Sequence, residues 1–460
     1  MAGLYGILGI ASGALQADEG AVTITGNNIA NVNTPGYSRE QVNLSENPPI
    51  QVGNFLFGNG VSLDQTTSIR DNLLQQRINQ EAQSAGQLSA FLGPLNQVQS
   101  LFNETSGSGL QTPLTAFFNS LTQLSDNPSS SSLREGVITA GQNLASAFQQ
   151  DSSTLQSLQS NADLSVQQSV NQINGLTSKI AALNIQVSSL TAQGQDGGAL
   201  EDQRSQLVNQ LSGLVDLSQA DAGNGSITLS TSNGSALVVG GQSFALSTQI
   251  NPATTFQDVY SQGSDITSTI TGGSLGGQIQ VRDQEIPQIL NKLDTLAYGL
   301  STAVNTQSEA GFDATGNAGV NFFTPPTSVT GAASSIAVAI TDPNLVAASS
   351  DGSVGSNGNS QALANLQNQT VVSGQTPADY YGGLIYKIGN DVSQANAEQS
   401  SVSLVQQQLQ DQQGAISGVS LDEEATNLIR YQSAYQAAAN VISTVNELLT
   451  TVVNMDVVTT

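Results

Sequence analysis

The stretch SLDEEATNLIRYQSAYQAAANVISTVNELLTTVVNMDVVTT, residues 420–460, decides the fold. Ser420 with Glu423 three residues on has the spacing of a capping box, and Asp422, Glu423 and Glu424 put negative charge on the positive end of the helix dipole. From that start Leu421, Leu428, Tyr431, Tyr435, Ala438, Ile442, Val445, Leu449 and Val452 recur at steps of three and four. That spacing is a coiled-coil stripe, with Glu424 the one polar residue in the seam. Ala425, Ile429, Val441, Leu448 and Val453 flank it, so the apolar face is wider than a two-stranded seam requires and predicts several neighbours.

The other end of the chain carries a matching stripe. Leu4, Leu8, Ala11, Leu15, Val22, Ile29 and Val32 follow the same rhythm, interrupted by Asp18 and Thr25, so the two termini read as mates. Gly3, Gly6, Gly9, Gly13, Gly20 and Gly26 lie inside this stretch. At about 1 kcal/mol each relative to Ala they remove roughly 6 kcal/mol of helix propensity. Isolated helices are marginal even without that penalty. The segment is therefore expected to be disordered when free and helical only when packed, its small residues letting a neighbouring backbone approach closely. Asn31, Asn33 and Pro35-Gly36 then stop the helix in a turn. Residues through Val42 and Leu44 read as a short extended arm, and Asn47, Pro48 and Pro49 with Gly53, Gly58 and Gly60 as a loop.

Composition narrows the function classes. The chain of 460 residues has room for two to four domains. It carries 10 basic against 35 acidic residues, a net charge of −25, which repels nucleic acid and anionic membrane surfaces. Neither nucleic acid binding nor membrane insertion is expected, and no run of about 18 apolar residues is present to span a bilayer. The N-terminus lacks a basic region followed by an apolar block, so an exported chain would need a route without such a signal. Cys, His and Trp are absent, which removes thiol and imidazole chemistry and the usual zinc sites. No cofactor is expected. Only 10% of residues are charged, a composition suited to burial against further copies of the same chain.

Between the termini the period is mostly helical. Leu133 to Leu190 keeps a drifting three-four rhythm through Val137, Leu144, Leu155, Ala162, Ile173, Ile180 and Val187, which predicts one very long helix. Shorter helices are expected over Leu200 to Leu214 and Ile286 to Val304, and a third long one over Tyr381 to Leu409. From Ser226 to Leu246 the period changes to two, with Asn233-Gly234 between alternating runs, a strong hairpin signal. β-prone sequence is also expected over Ala332 to Ile340. The fold class is mainly α with an inserted β-rich domain. The expected division is residues 1–65 with 412–460 as a terminal coiled-coil domain, 66–215 with 280–411 as an elongated helical bundle, and 216–279 as the inserted β-rich outer domain.

Paired carboxylates are the obvious candidates for acid–base chemistry: Glu201 and Asp202, Asp283 and Glu285, and Asp422 to Glu424. All lie near expected helix starts, where the dipole explains acidic residues, so they read as caps and no enzyme is expected. Asp313-Ala314-Thr315-Gly316-Asn317 reads as a turn, because Gly is misplaced for a calcium loop and no Glu stands at the twelfth position.

The run NNIANVNTPGYSRE, residues 27–40, resembles the N-terminal signature of the bacterial flagellar axial proteins, and SGVSLDEEATNLIRYQSAYQAAANVISTVNELL, residues 417–449, their C-terminal one. Tyr37-Ser38-Arg39 and Leu428-Ile429-Arg430-Tyr431-Gln432, with the ordered segments 112–131, 199–211 and 276–323, resemble the hook-associated family of the hook–filament junction. The resemblance implies a structural subunit, exported by the flagellar type III system and assembled into a junction ring outside the cell. Its implied partners are further copies of itself, the hook protein, a second junction protein leading to the flagellin filament, the filament cap transiently, and a cytoplasmic export chaperone at the C-terminal helix. It carries the assembly role to Asn28, Asn31, Pro35, Gly36, Tyr37, Leu428, Tyr431, Tyr435 and Ile442. The apolar seam adds Leu4, Leu8, Leu15, Val22, Ile29, Ala438, Val445 and Leu449. The rival readings are another axial protein, hook or distal rod, and a flagellum-associated hydrolase or adhesin with axial-type termini.

Overall fold

The computed structural model describes residues 2–52, 54–104 and 109–457. Helix α1 (Ala2–Ala30) opens the chain and is followed by strands β1 (Glu40–Glu46), β2 (Ile50–Val52), β3 (Phe55–Phe57) and β4 (Val61–Ser68). Four helices come next: α2 (Asn72–Leu101), α3 (Gln111–Asp126), α4 (Ser131–Ala192) and α5 (Gly198–Ser212). The β-rich part holds β5 (Ser218–Asp221), β6 (Ile227–Ser230), β7 (Ala236–Val239), β8 (Gln242–Ser243), β9 (Leu246–Ile250), β10 (Gln257–Ser261) and β11 (Ser264–Asp265). Helix α6 (Gly273–Gln280) then continues through a π turn at Val281–Glu285 into α7 (Ile286–Glu309). Short helices α8 (Ala332–Ser335) and α9 (Gly358–Asn365) lead to the long α10 (Pro377–Ser417) and α11 (Leu421–Val457).

The 62 residues of α4 extend for about 90 Å at 1.5 Å per residue and form the spine of the molecule. Its start is capped by Ser130, whose hydroxyl accepts from Leu133 N–H. Asp71 caps α2 and Thr376 caps α10 in the same way. Two cores lie along the spine. The first half of α4, from Val137 to Ala162, packs with α2, α3, α7 and α10 around Phe117, Phe148, Phe323 and Tyr381. The second half, including Val166, Val170, Ile173 and Ile180, packs with Val208 and Leu211 of α5 and with Leu229, Leu237, Val238 and Val259 of the sheets. The strands have no core of their own; they form one wall of a core whose other walls are α4, α5 and α6. Arg282, in the π turn, bolts the two halves together. Its guanidinium is fully buried, pairs with Asp163 at 2.7 Å and donates to the Gln257 carbonyl at 2.6 Å.

The Asn-Gly hairpin is present: β6 and β7 pair antiparallel, with Gly234 in the left-handed region at φ 90°. The sheet order is β5-β6-β7-β8, beside a second sheet of order β11-β10-β9. Two local expectations are corrected. Ala332 to Ile340 is not a strand: it begins as α8 and touches Phe323 by a single bridge at Val338. Its Ala332, Ala333, Ile336 and Ile340 are spent on the first core, which overrides their β propensity. Residues 47–60 are not a plain loop either. β1 pairs with β4 from Glu40↔Ser68 to Glu46↔Val61, and β2 with β3 forms a hairpin at the tip of that ribbon. Among the described residues no helix is long and apolar enough to cross a membrane.

Candidate assembly interface

Helices α1 and α11 run side by side and antiparallel. The faces that meet coincide with the stripes read from sequence at only some positions, and Leu421 and Val452 of the α11 stripe are exposed. On α1, Ala11, Ala17, Ala21, Thr25 and Asn28 are buried, and Leu4, Leu8, Leu15, Val22 and Ile29 are half-buried. On α11, Glu424, Ala438 and Val445 are buried, and Leu428, Tyr431, Ile442 and Leu449 are half-buried. Tyr435 is exposed, as are the flanking Ile429, Val441, Leu448 and Val453. The apolar face of α11 is thus only partly covered by its own chain. The condition set by the glycines, helical only when packed, is met for α1 by α11 on one side and the β1–β4 ribbon on another. Gly13 and Gly20 make the second contact possible: a Cβ at Gly13 would lie 3.0 Å from the Val61 carbonyl oxygen, and one at Gly20 2.8 Å from Leu63 Cδ1.

The signature 27–40 is the joint between this pair and the body. Thr34-Pro35-Gly36-Tyr37 forms the expected turn, closed by Tyr37 N–H to the Thr34 carbonyl with Gly36 at φ 76°. Asn28 is 1% exposed and fully used. Its Oδ1 accepts from Tyr37 O–H at 2.8 Å and from Glu40 N–H at 3.0 Å, while its Nδ2 donates to the Glu40 carbonyl at 2.9 Å. Burial and the nearby Glu40 carboxylate push the Tyr37 hydroxyl above its ordinary pKa, so it remains a donor. Asn31 donates to the Asn27 carbonyl and accepts from Thr34 O–H. Pro35 and Gly36 are exposed, and Gln206 of α5 donates to the Pro35 carbonyl at 2.6 Å. The polar signature residues therefore hold the chain's own turn together.

Sequence reasoning missed the residues that complete the joint. Ser38 donates through its N–H and Oγ to the two oxygens of Asp202 on α5, at 2.8 and 2.7 Å. Arg70 pairs with both Asp202 and Glu201. Arg39 makes a bidentate pair with Glu423, at 2.7 and 2.8 Å, and lies 3.3 Å from Glu424. Its N–H donates to the Ser417 carbonyl at the end of α10. The Glu423 carboxylate thus faces Arg39 rather than reaching back over Ser420 as a capping box would. One signal pointed here: an acidic residue inside an apolar seam demands a cation. Of the other carboxylate candidates, Asp283 pairs with Arg282 and Glu285 with Lys387. Asp313 accepts from the N–H groups of Thr315 and Asn317, as a turn-forming Asp does. Among the described residues no cluster of three or more His, Cys, Asp or Glu could hold a metal ion.

A coiled coil of the two chain ends, jointed to a helical body, defines a flagellar axial protein. Residues 8–37 match the family model of the flagella basal body rod protein, and residues 412–455 that of the flagellar basal body rod FlgEFG protein C-terminal region. Residues 95–323 match the flagellar hook-associated protein FlgK helical domain. The chain is 32% identical to flagellar hook-associated protein 1 of Bacillus subtilis (strain 168) over 96% of each chain. It is 27% identical to the protein of that name from Escherichia coli (strain K12), over 97% of this chain and 98% of the other. The chain belongs to the flagellar hook-associated protein 1 family. Its fold is similar to that of the flagellar hook junction protein FlgK from Burkholderia pseudomallei, with a TM-score of 0.67, 17% identity, and coverage of 74% of this chain and all of that one.

Proposed function

We propose that this chain is the structural subunit that joins hook to filament in the bacterial flagellum, outside the cell, with no catalytic role. Its similarity to flagellar hook-associated protein 1 over almost the whole length carries this reading. In it, residues 1–65 with 412–460 line the axis, 66–215 with 280–411 form the helical body, and 216–279 lie outward. The partly covered face of α11 supports assembly: a chain that left Ile429, Val441, Leu448 and Val453 in water would carry an unused apolar stripe. The partners are further copies of the chain in a ring, the hook protein below, and a second junction protein leading to flagellin above. The cap is a transient partner. An export chaperone covers the C-terminal helix in the cytoplasm before type III export. Deletion of the gene from the bacterium is expected to leave complete hooks and shed flagellin into the medium, with filaments restored by the intact gene. Loss of the hook as well would point to a hook or rod role and overturn the junction reading.

A further inference from the structure

We propose that the β2–β3 hairpin tip of one copy seats on the outer face of α11 in the next copy of this chain. The proposal rests on the self-assembling reading above and names the contact within it. Phe55 and Leu56 are 71% and 72% exposed at the tip, and Phe57 is more than half exposed. Three consecutive large apolar residues held in water by a paired hairpin mark a surface that another molecule covers. The occupant follows from charge. At −25 net, copies of the chain repel one another, and uncharged surfaces are where they approach at least electrostatic cost. Residues 47–63, the whole tip, contain no charged side chain. Residues 431–453 of α11 contain only Glu447, and their exposed Val441, Leu448 and Val452 form a stripe at helical spacing.

Within one copy the two surfaces leave each other uncovered. The β1–β4 ribbon lies along α1, where Gly60 packs against Ile10, and carries the tip toward the N-terminal end of that helix. Tip and stripe are both exposed in the same chain. A contact between two different surfaces of like subunits is heterologous, and such contacts generate rings where the rotation closes and open helical arrays where it does not.

The absence of cysteine makes the test direct. Bacteria co-expressing a Leu56→Cys and a Leu448→Cys chain are treated with a mild oxidant, and hook–filament preparations are analysed for the disulfide-linked pair. The pair is expected at about tenfold or more over a control that combines Leu56→Cys with Thr302→Cys on the exposed side of α7, because an interface raises the effective concentration of the two thiols. Recovery of both variants in the preparations without enrichment of the pair overturns the contact and leaves the junction reading standing. Their absence from preparations with intact filaments overturns the junction reading and the contact together.

Discussion

Arg39 neutralises Glu424, a carboxylate 2% exposed inside an apolar seam, while its second partner, Glu423, stands largely in water. The two pairs differ in worth. Stripping the partner from a buried charge costs about 3–5 kcal/mol, whereas an exposed pair contributes about 0–1 kcal/mol. Arg39→Ala is expected to lower unfolding free energy by roughly 3 kcal/mol and Glu423→Ala by no more than about 1 kcal/mol, measured by chemical denaturation. Equal losses would show that Glu424 does not depend on Arg39. Asp151 is the opposite case, a buried carboxyl with no partner on Oδ2. Burial, aided by the Glu104 carboxylate, pushes its pKa up from 3.8 to about 7. The folded state therefore holds a proton that the unfolded state releases. The stability that this proton contributes is fully present below pH 3.8, declines as pH rises, and is gone once pH passes about 7. Asp151→Asn is expected to flatten the loss of stability between pH 5 and 8, read from denaturation midpoints; an unchanged slope would exclude Asp151 as its source.

At the scale of the helix, α1 is a poor helix former held by what it touches. Its glycines divide by environment. A Cβ at Gly26 meets nothing within 4 Å, so Gly26→Ala should stabilise the protein by about 1 kcal/mol. Gly13→Ala should destabilise it instead, because the new methyl presses on the Val61 carbonyl of β4. Thermal melts that move in the same direction would contradict the close packing of ribbon on helix. The partner helix gives a second contrast. Val445 is 4% exposed under α1, so Val445→Asp buries an unpaired carboxyl and should cost on the order of 3 kcal/mol of the α1–α11 pairing. Glu447 is exposed, and Glu447→Lys should stay within about 0.5 kcal/mol. Amide exchange of α1 residues reports both: it should accelerate sharply in the first variant and hardly in the second.

At the scale of the whole molecule, the strands and α4 depend on each other. Deleting residues 218–265 would uncover Val170, Ile173 and Ile180 while leaving the first core intact. The expected product keeps one cooperative melting transition, loses helical signal from the second half of α4, and binds apolar dyes. Unchanged helix content would mean that α4 needs no cover there. The stripe of α11, the long helices, the Asn-Gly hairpin and the Pro-Gly turn were legible in the chain, because period and turn chemistry are properties of neighbouring residues. The pairing of β4 with β1 was not legible, since Val61 and Leu63 are sparse apolar markers for β4 and the partner strand lies far along the chain. Nor was the fate of Ala332 to Ile340, where burial against Phe323 and the first core outweighed local preference. Sequence alone determined that the two ends carry apolar stripes of one three-four rhythm. Which cation answers Glu424, which carboxylate receives Ser38, and which face of α4 the sheets cover depend on residues brought together from far along the chain, and only tertiary packing selects among such partners.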